Sequence, residues 1–250
     1  MSLPALGSPL VLEAALALLM LVVFAVGMPG RGGDKRRVGV VAAVGLVVLF
    51  ALAWRAEPGG EIFHGAFVQD ELAIFAKRLF LLATFIGVLG SISLRAVTFA
   101  RRATEYYLAL LASLLGMLVL ASARDLILLF VAFELMSIPL YYLTGFVKRD
   151  PVAVEAALKF FLVGTVSSAV LVYGLSFVYG LSGTTDIRGI ARAIESGHPL
   201  ILLGMTLALG GLGFKIAAFP FTCGCPMPTR PPAHRSSRGS RWRPRRRDSS

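Results

Sequence analysis

Three charged residues stand where charge is expensive. Glu134 lies in Leu128-Leu129-Phe130-Val131-Ala132-Phe133-Glu134-Leu135-Met136-Ser137-Ile138-Pro139. Lys159 lies in Ala156-Ala157-Leu158-Lys159-Phe160-Phe161, and Lys215 in Gly213-Phe214-Lys215-Ile216-Ala217-Ala218-Phe219-Pro220-Phe221. A charged side chain at the centre of a bilayer-spanning helix costs about 2.5–3.5 kcal/mol on insertion scales, so such residues mark ion or proton paths and pair with one another. A carboxylate and amines suit proton transfer. Desolvation disfavours a charged amine, a nearby carboxylate restores it, and a small change in separation moves the proton.

Local context sharpens each candidate. Glu134 is eight residues past Leu126, about 12 Å along a helix axis and close to the bilayer centre. Pro139 follows, removing a backbone hydrogen bond and kinking the helix, which admits water. Lys215 is about 22 Å from Leu200 along its helix, and Pro220 then breaks that helix. Broken helices at buried charge expose backbone groups that line wet cavities. Lys159 stands about one turn into its span. A short loop joins that span to the one carrying Glu134, so the two are expected to be antiparallel neighbours with Glu134 and Lys159 within reach. The competing readings are a structural ion pair for Glu134 and snorkelling to the interface for the two lysines.

The elements that position these residues are membrane helices. Of 250 residues, 56% are hydrophobic and 16% charged, where a soluble domain is about a quarter charged. A hydrocarbon core of about 30 Å needs about 20 apolar residues. Seven stretches qualify: Leu10–Val26, Val38–Trp54, Leu79–Leu94, Tyr106–Ser122, Leu126–Val147, Ala156–Gly180 and Leu200–Phe221. The third extends back toward Leu72, placing Lys77 and Arg78 near an interface. Asp186–Glu195 reads as a short surface helix. The expected fold is all-α, a polytopic transmembrane bundle occupying residues 1–221. Basic residues concentrate in the first, third and fifth loops (Arg31, Lys35, Arg36 and Arg37; Arg95, Arg101 and Arg102; Lys148 and Arg149), while the second carries Glu57, Glu61, Asp70 and Glu71. Odd loops are therefore expected in the cytoplasm, with the N-terminus outside. The first apolar stretch carries Glu13 with no preceding basic residue, so it reads as a retained span rather than a cleaved signal.

The remaining features read as structural. Glu13 is expected to be an interfacial carboxylate and His198 a residue of a loop–helix junction. Gly210-Gly211-Leu212-Gly213 reads as close helix packing through small residues. The net charge of +11 does not indicate nucleic acid: residues 222–250 hold eight Arg and one Asp, and the rest of the chain nets only +4. The two cysteines, Cys223 and Cys225, lie in that basic Arg/Pro/Ser-rich tail. They lack the second ligand pair that a zinc site needs. The spans contain no phosphate loop, dinucleotide fingerprint or cluster-binding cysteines.

Phe133-Glu134-Leu135 with Ser137-Ile138-Pro139-Leu140-Tyr141, Glu155-Ala156-Ala157-Leu158-Lys159-Phe160-Phe161, and Gly213-Phe214-Lys215 to Phe219-Pro220-Phe221 resemble the antiporter-like subunits of NADH-quinone oxidoreductase, respiratory complex I. The last phrase is most similar to the subunit N branch. The resemblance covers roughly residues 1–221. It implies the first part of an inverted-repeat fold in a bacterial inner membrane, and proton translocation coupled to NADH oxidation and quinone reduction. It assigns Glu134, Lys159 and Lys215 to the proton path, with the fifth-span Glu paired to the sixth-span Lys. It implies no cofactor in this chain, with FMN and iron–sulfur clusters on other subunits. The implied partners are the other membrane subunits of the complex, the lipid bilayer, and quinone through the complex. Subunits of multisubunit cation/proton antiporters and membrane-bound hydrogenases share these helices and form the alternative reading.

The resemblance stops at Phe221. The family continues in the style His-Met-Trp-Val-Pro-Asp-Ala-Tyr-Glu, whereas this chain reads Thr222-Cys223-Gly224-Cys225-Pro226-Met227-Pro228-Thr229-Arg230. The codons CAC ATG TGG GTG CCC GAT GCC TAC GAG G spell the family phrase. Without their first C they spell all nine residues present here. A frameshift at Phe221/Thr222 is therefore expected, with an out-of-frame tail, a truncated product and an incomplete proton path.

Overall fold

The computed structural model describes residues 9–28, 36–92, 97–195 and 198–215. Phe221, the expected frameshift point, Pro220 and both cysteines lie outside these residues. The elements in order are α1 (Val11–Gly27), α2 (Arg36–Trp54), β1 (Gly60–Ile62), β2 (Phe67–Gln69), α3 (Glu71–Ile92), α4 (Val97–Ser122), α5 (Leu126–Thr144), α6 (Pro151–Ser182), α7 (Ile187–Ile194) and α8 (Pro199–Lys215). Five helices (α2 to α6) are long and apolar enough to cross a membrane, and α1 and α8 are apolar helices of 17 residues. The seven expected spans are thus seven apolar helices among the described residues, and α7 is the expected short helix, with Ile190 buried.

Helix starts follow from local chemistry. Asp125, Asp150 and Asp186 each accept hydrogen bonds from the first free N–H groups of α5, α6 and α7, the role of an N-cap carboxylate. Pro151 occupies the first turn of α6, where its missing N–H is harmless. This cap starts α6 five residues before the sequence pattern predicted. Gly183 closes it in the left-handed conformation (φ 67°), a geometry with little cost for glycine.

The first four helices surround an apolar core of Leu16, Val23, Leu46, Leu81, Leu111, Leu114 and Leu118, each 0–1% exposed. Large apolar residues such as Leu18, Phe24, Val44 and Phe75 point outward. In lipid those faces carry no hydrophobic penalty, and association rests on close packing. Gly116 supplies such packing between α4 and α5: a methyl group on it would sit 2.8 Å from the Cα of Met136. Gly211 does the same between α8 and α6, where a methyl would meet Leu171 Cβ at 2.7 Å. Of the predicted small-residue run, Gly211 makes the close contact, while Gly210 faces open space.

The second, fourth and sixth loops meet at one end. The β1–β2 hairpin is antiparallel, and its turn holds Phe63 and His64 at positive φ. Phe67 forms a backbone bridge with Ala123, and Asp125 with Asp186. The Arg124 N–H donates to the Ala66 carbonyl at 2.8 Å, and the Leu126 N–H to the Thr185 carbonyl at 2.9 Å.

A candidate ion-pair site between three helices

Glu134 sits in mid-α5 beside α6 and α8. Its Oε1 accepts two hydrogen bonds, from the Lys215 ammonium on α8 at 2.8 Å and from the Ser168 hydroxyl on α6 at 2.6 Å. The ammonium also donates to the Ser137 hydroxyl at 3.3 Å, one turn along α5. The Lys215 side chain is 3% exposed and that of Glu134 24%. Hydrogen bonds between ionised partners are about twice as strong as neutral ones, so one carboxylate oxygen ties three helices together. Glu134 also borders an open cleft of about 530 Å³, lined by Phe130, Thr165, Ser168, Val172, Tyr173 and Ser176 among others. The cleft is mostly apolar; of its four hydroxyl side chains, those of Thr165 and Ser176 donate to carbonyls of their own helix and that of Ser168 to Glu134.

The local backbone explains why these groups converge. Helical Cβ atoms tilt toward the helix N-terminus, so Lys215 reaches back along α8 to the level of Glu134. Pro139 cannot donate to the Leu135 carbonyl, a bond any other residue would make. Near this gap, Ser137 donates to the Phe133 carbonyl at 2.7 Å, and Ser113 of α4 to the Met136 carbonyl at 3.1 Å. Despite Pro139, α5 runs unbroken from Leu126 to Thr144.

Lys159 does not pair with Glu134. It bonds Glu155 one turn back on α6, and the two side chains are 67% and 54% exposed. The antiparallel register gives the reason. Gly145 lies against Ala157, Gly164 against Tyr141, and Glu134 against Ser168. Lys159 is therefore level with about Leu143, roughly 13 Å along the axis from Glu134. It is also nine residues from Ser168, which at 3.6 residues per turn puts it on the opposite face of α6. The α6 and α5 helices are antiparallel neighbours as expected, but Glu134 takes its lysine from α8.

The other candidates resolve as follows. The backbone N–H of Leu200 donates to His198 Nδ1 at 3.4 Å, and the His198 carbonyl accepts from Ile201 at 3.0 Å, so His198 starts α8 at a loop junction. Arg78 donates to the carbonyls of Ala53 and Trp54 at the end of α2 and covers the Trp54 ring. Lys77, its neighbour in sequence, is turned inward against the protein. It is 0% exposed and contacts Glu13 at 2.8 Å. Glu13, read in the sequence as an interfacial carboxylate, is itself buried. Sequence reasoning missed Ser137, Ser168 and Lys77. The signal for Lys77 is helical phase, since Ala73, Ile74, Lys77, Leu81, Thr84 and Val88 form one buried stripe of α3.

Known proteins share this fold and much of its sequence. Residues 123–227 match the family model described as NADH:quinone oxidoreductase/Mrp antiporter, TM. NADH-quinone oxidoreductase subunit N 1 of Acidiphilium cryptum (strain JF-5) is 40% identical over 205 residues, covering 78% of this chain and 41% of that protein. A chain in the structure of respiratory complex I from Thermus thermophilus with bound aureothin superposes with a TM-score of 0.69 at 31% identity, covering 85% of this chain and 45% of that one. A chain of the membrane-bound sulfane sulfur reductase, an archaeal respiratory membrane complex, shares the fold with a TM-score of 0.70 at 21% identity. The chain spans less than half the length of the relatives it matches. Seven apolar helices, a buried carboxylate–lysine junction and these likenesses lead to one conclusion: the chain is a multi-pass membrane protein of the antiporter-like NADH-quinone oxidoreductase subunit family, on its subunit N branch.

Proposed function

We propose that this chain acts in proton translocation as a membrane subunit of an NADH-quinone oxidoreductase, with Glu134 and Lys215 holding the proton. The observation that carries this reading is the buried Lys215–Glu134–Ser168 junction at mid-helix. An opposite charge at contact favours a protonated amine. Drawing the carboxylate away removes that support and lets the proton leave; its return recharges the lysine. Ser137 and Ser168 supply alternative hydrogen-bond partners while the pair is apart, and Glu134 borders an open cleft.

Lys159, with Glu155, joins this path as a relay at the end of α6 nearer its start. On the positive-inside orientation that end faces the cytoplasm and the N-terminus faces outside, in a bacterial inner membrane. Redox chemistry belongs to other subunits carrying FMN and iron–sulfur clusters. This chain would meet NADH oxidation and quinone reduction only through its contacts with neighbouring membrane subunits and the lipid around them. The same ion pair would serve a multisubunit cation/proton antiporter, a reading that the matched family, NADH:quinone oxidoreductase/Mrp antiporter, also accommodates.

The test uses a full-length counterpart assembled in sealed vesicles. Glu134→Ala removes the carboxylate that supports the Lys215 charge. Glu134→Ala is thus expected to lower NADH-driven proton uptake about tenfold or more, while Glu134→Asp keeps part of it. Unchanged uptake by the Ala variant ends this assignment.

A further inference from the structure

A second carboxylate–lysine pair lies far from Glu134, between α1 and α3. Lys77 Nζ sits 2.8 Å from Glu13 Oε1, with the lysine side chain fully buried and that of Glu13 7% exposed. Neither carboxylate oxygen of Glu13 has a hydrogen bond of good geometry among the described residues. The ammonium has a second seat on the hairpin side. Gln69 Oε1 lies 3.4 Å away, and the ring centroid of Phe67 lies 5.0 Å away, within cation–π range. Gln69 is held in turn by donating to the Glu57 carbonyl at 3.1 Å. The other charged groups nearby are engaged elsewhere: Arg78 on carbonyls of α2, and Asp70 with Arg124.

Stability alone does not account for this arrangement. Replacing a buried ion pair by packed apolar residues is often neutral or favourable. The geometry instead suits two charge states. With Glu13 ionised, the ammonium leans on it. With a proton added to Glu13, the ammonium loses its counter-charge and depends on Gln69 and Phe67 instead.

We propose that Glu13, with Lys77, Gln69 and Phe67, forms a second proton-holding site that loads and unloads one proton beneath the β1–β2 hairpin. Uptake converts the Glu13 carboxylate to the carboxylic acid by forming one O–H bond, and release reverses it; Lys77 keeps its own proton throughout. This proposal rests on the proton-translocation reading above and adds a site to it, on the hairpin end of the bundle.

Two measurements test it, and neither depends on Glu134. In the 250-residue chain reconstituted in lipid, infrared difference spectra between acid and neutral pH are expected to show, beside the C=O stretch of the exposed carboxyls, a separate higher-frequency C=O band of a carboxyl shielded from water. Glu13→Gln removes that band, Glu13→Asp shifts it, and Glu134→Gln leaves it in place. In the full-length counterpart in sealed vesicles, Glu13→Gln is expected to lower protons taken up per NADH oxidised while the complex still assembles. If Glu13→Gln leaves both the spectrum and the proton yield unchanged, or if the Glu13→Leu/Lys77→Leu double variant pumps like the parent, the pair is a packing device only and the proposal falls. A Glu134→Ala variant that pumps normally, with the Glu13 band still present, would remove the earlier reading and leave this site standing.

Discussion

At the scale of single residues, the buried charges were legible because lipid makes them conspicuous. Glu134 and Lys215 stand out in any reading of an apolar run, and the structure joins them through one oxygen atom. Their partnership was not legible. Which lysine meets Glu134 depends on rotation about helix axes, and in a helix that is apolar all round the lipid face and the packed face look alike. Lys159 was assigned the pairing because its helix is adjacent, and the opposite face of that helix is the one that meets Glu134. This sets an order of effects. Lys215→Ala leaves a carboxylate facing the cleft without its charge partner, while Lys159→Ala breaks an exposed i,i+4 pair worth about 0.3–0.5 kcal/mol. In a full-length counterpart, proton uptake is therefore expected to fall far more for Lys215→Ala than for Lys159→Ala, at equal amounts of assembled protein. Equal losses would give Lys159 a central place.

At the scale of elements, the spans were readable from length and apolarity, and the caps from Asp125, Asp150 and Asp186. The β1–β2 hairpin was not. Three residues per strand are too few to show alternation against a loop background, and the turn conformations at Phe63 and His64 have no sequence signature in those residue types. Helix approach was readable only for the run around Gly211. Gly116 sits in an ordinary apolar stretch, yet it brings α4 against the backbone of Leu135 and Met136, next to Glu134. Backbone atoms cannot yield as a side chain can. Gly116→Leu is expected to push α4 from α5 at a cost in the range of overpacked cores, about 1–3 kcal/mol or more. A lower thermal midpoint in detergent, against an unchanged midpoint for Gly210→Ala in open space, checks this.

At the scale of the whole molecule, the hairpin is a strap across the bundle. It lies over the Glu13–Lys77 pair at one side and binds the α4–α5 turn at the other, where Arg124 contacts Asp70 at 2.8 Å. The Asp70 carboxyl is held below its ordinary value of 3.8, first by the backbone N–H of Ala73 and also by Arg124. The stability this adds is present at neutral pH, above the unfolded value, and is lost as pH falls through the lowered folded value. Protection of the hairpin amides, measured against their intrinsic exchange rates, is expected to hold from neutral pH down to about pH 4 and to fall below it, and Asp70→Asn is expected to abolish that acid step. No composition or motif announces this arrangement, because it joins residues 54 positions apart.

Helix length carries one more consequence. The α6 helix has 32 residues and α5 has 19, or about 48 and 28 Å at 1.5 Å per residue. A hydrocarbon core is about 30 Å deep, so α5 fits it nearly upright while α6 must lean or project. Thinning or thickening the bilayer therefore asks the two helices to tilt by different amounts, and the Ser168–Glu134 hydrogen bond is where that shear is felt. Lipid chain length becomes a mechanical input to the same atoms that hold the charge.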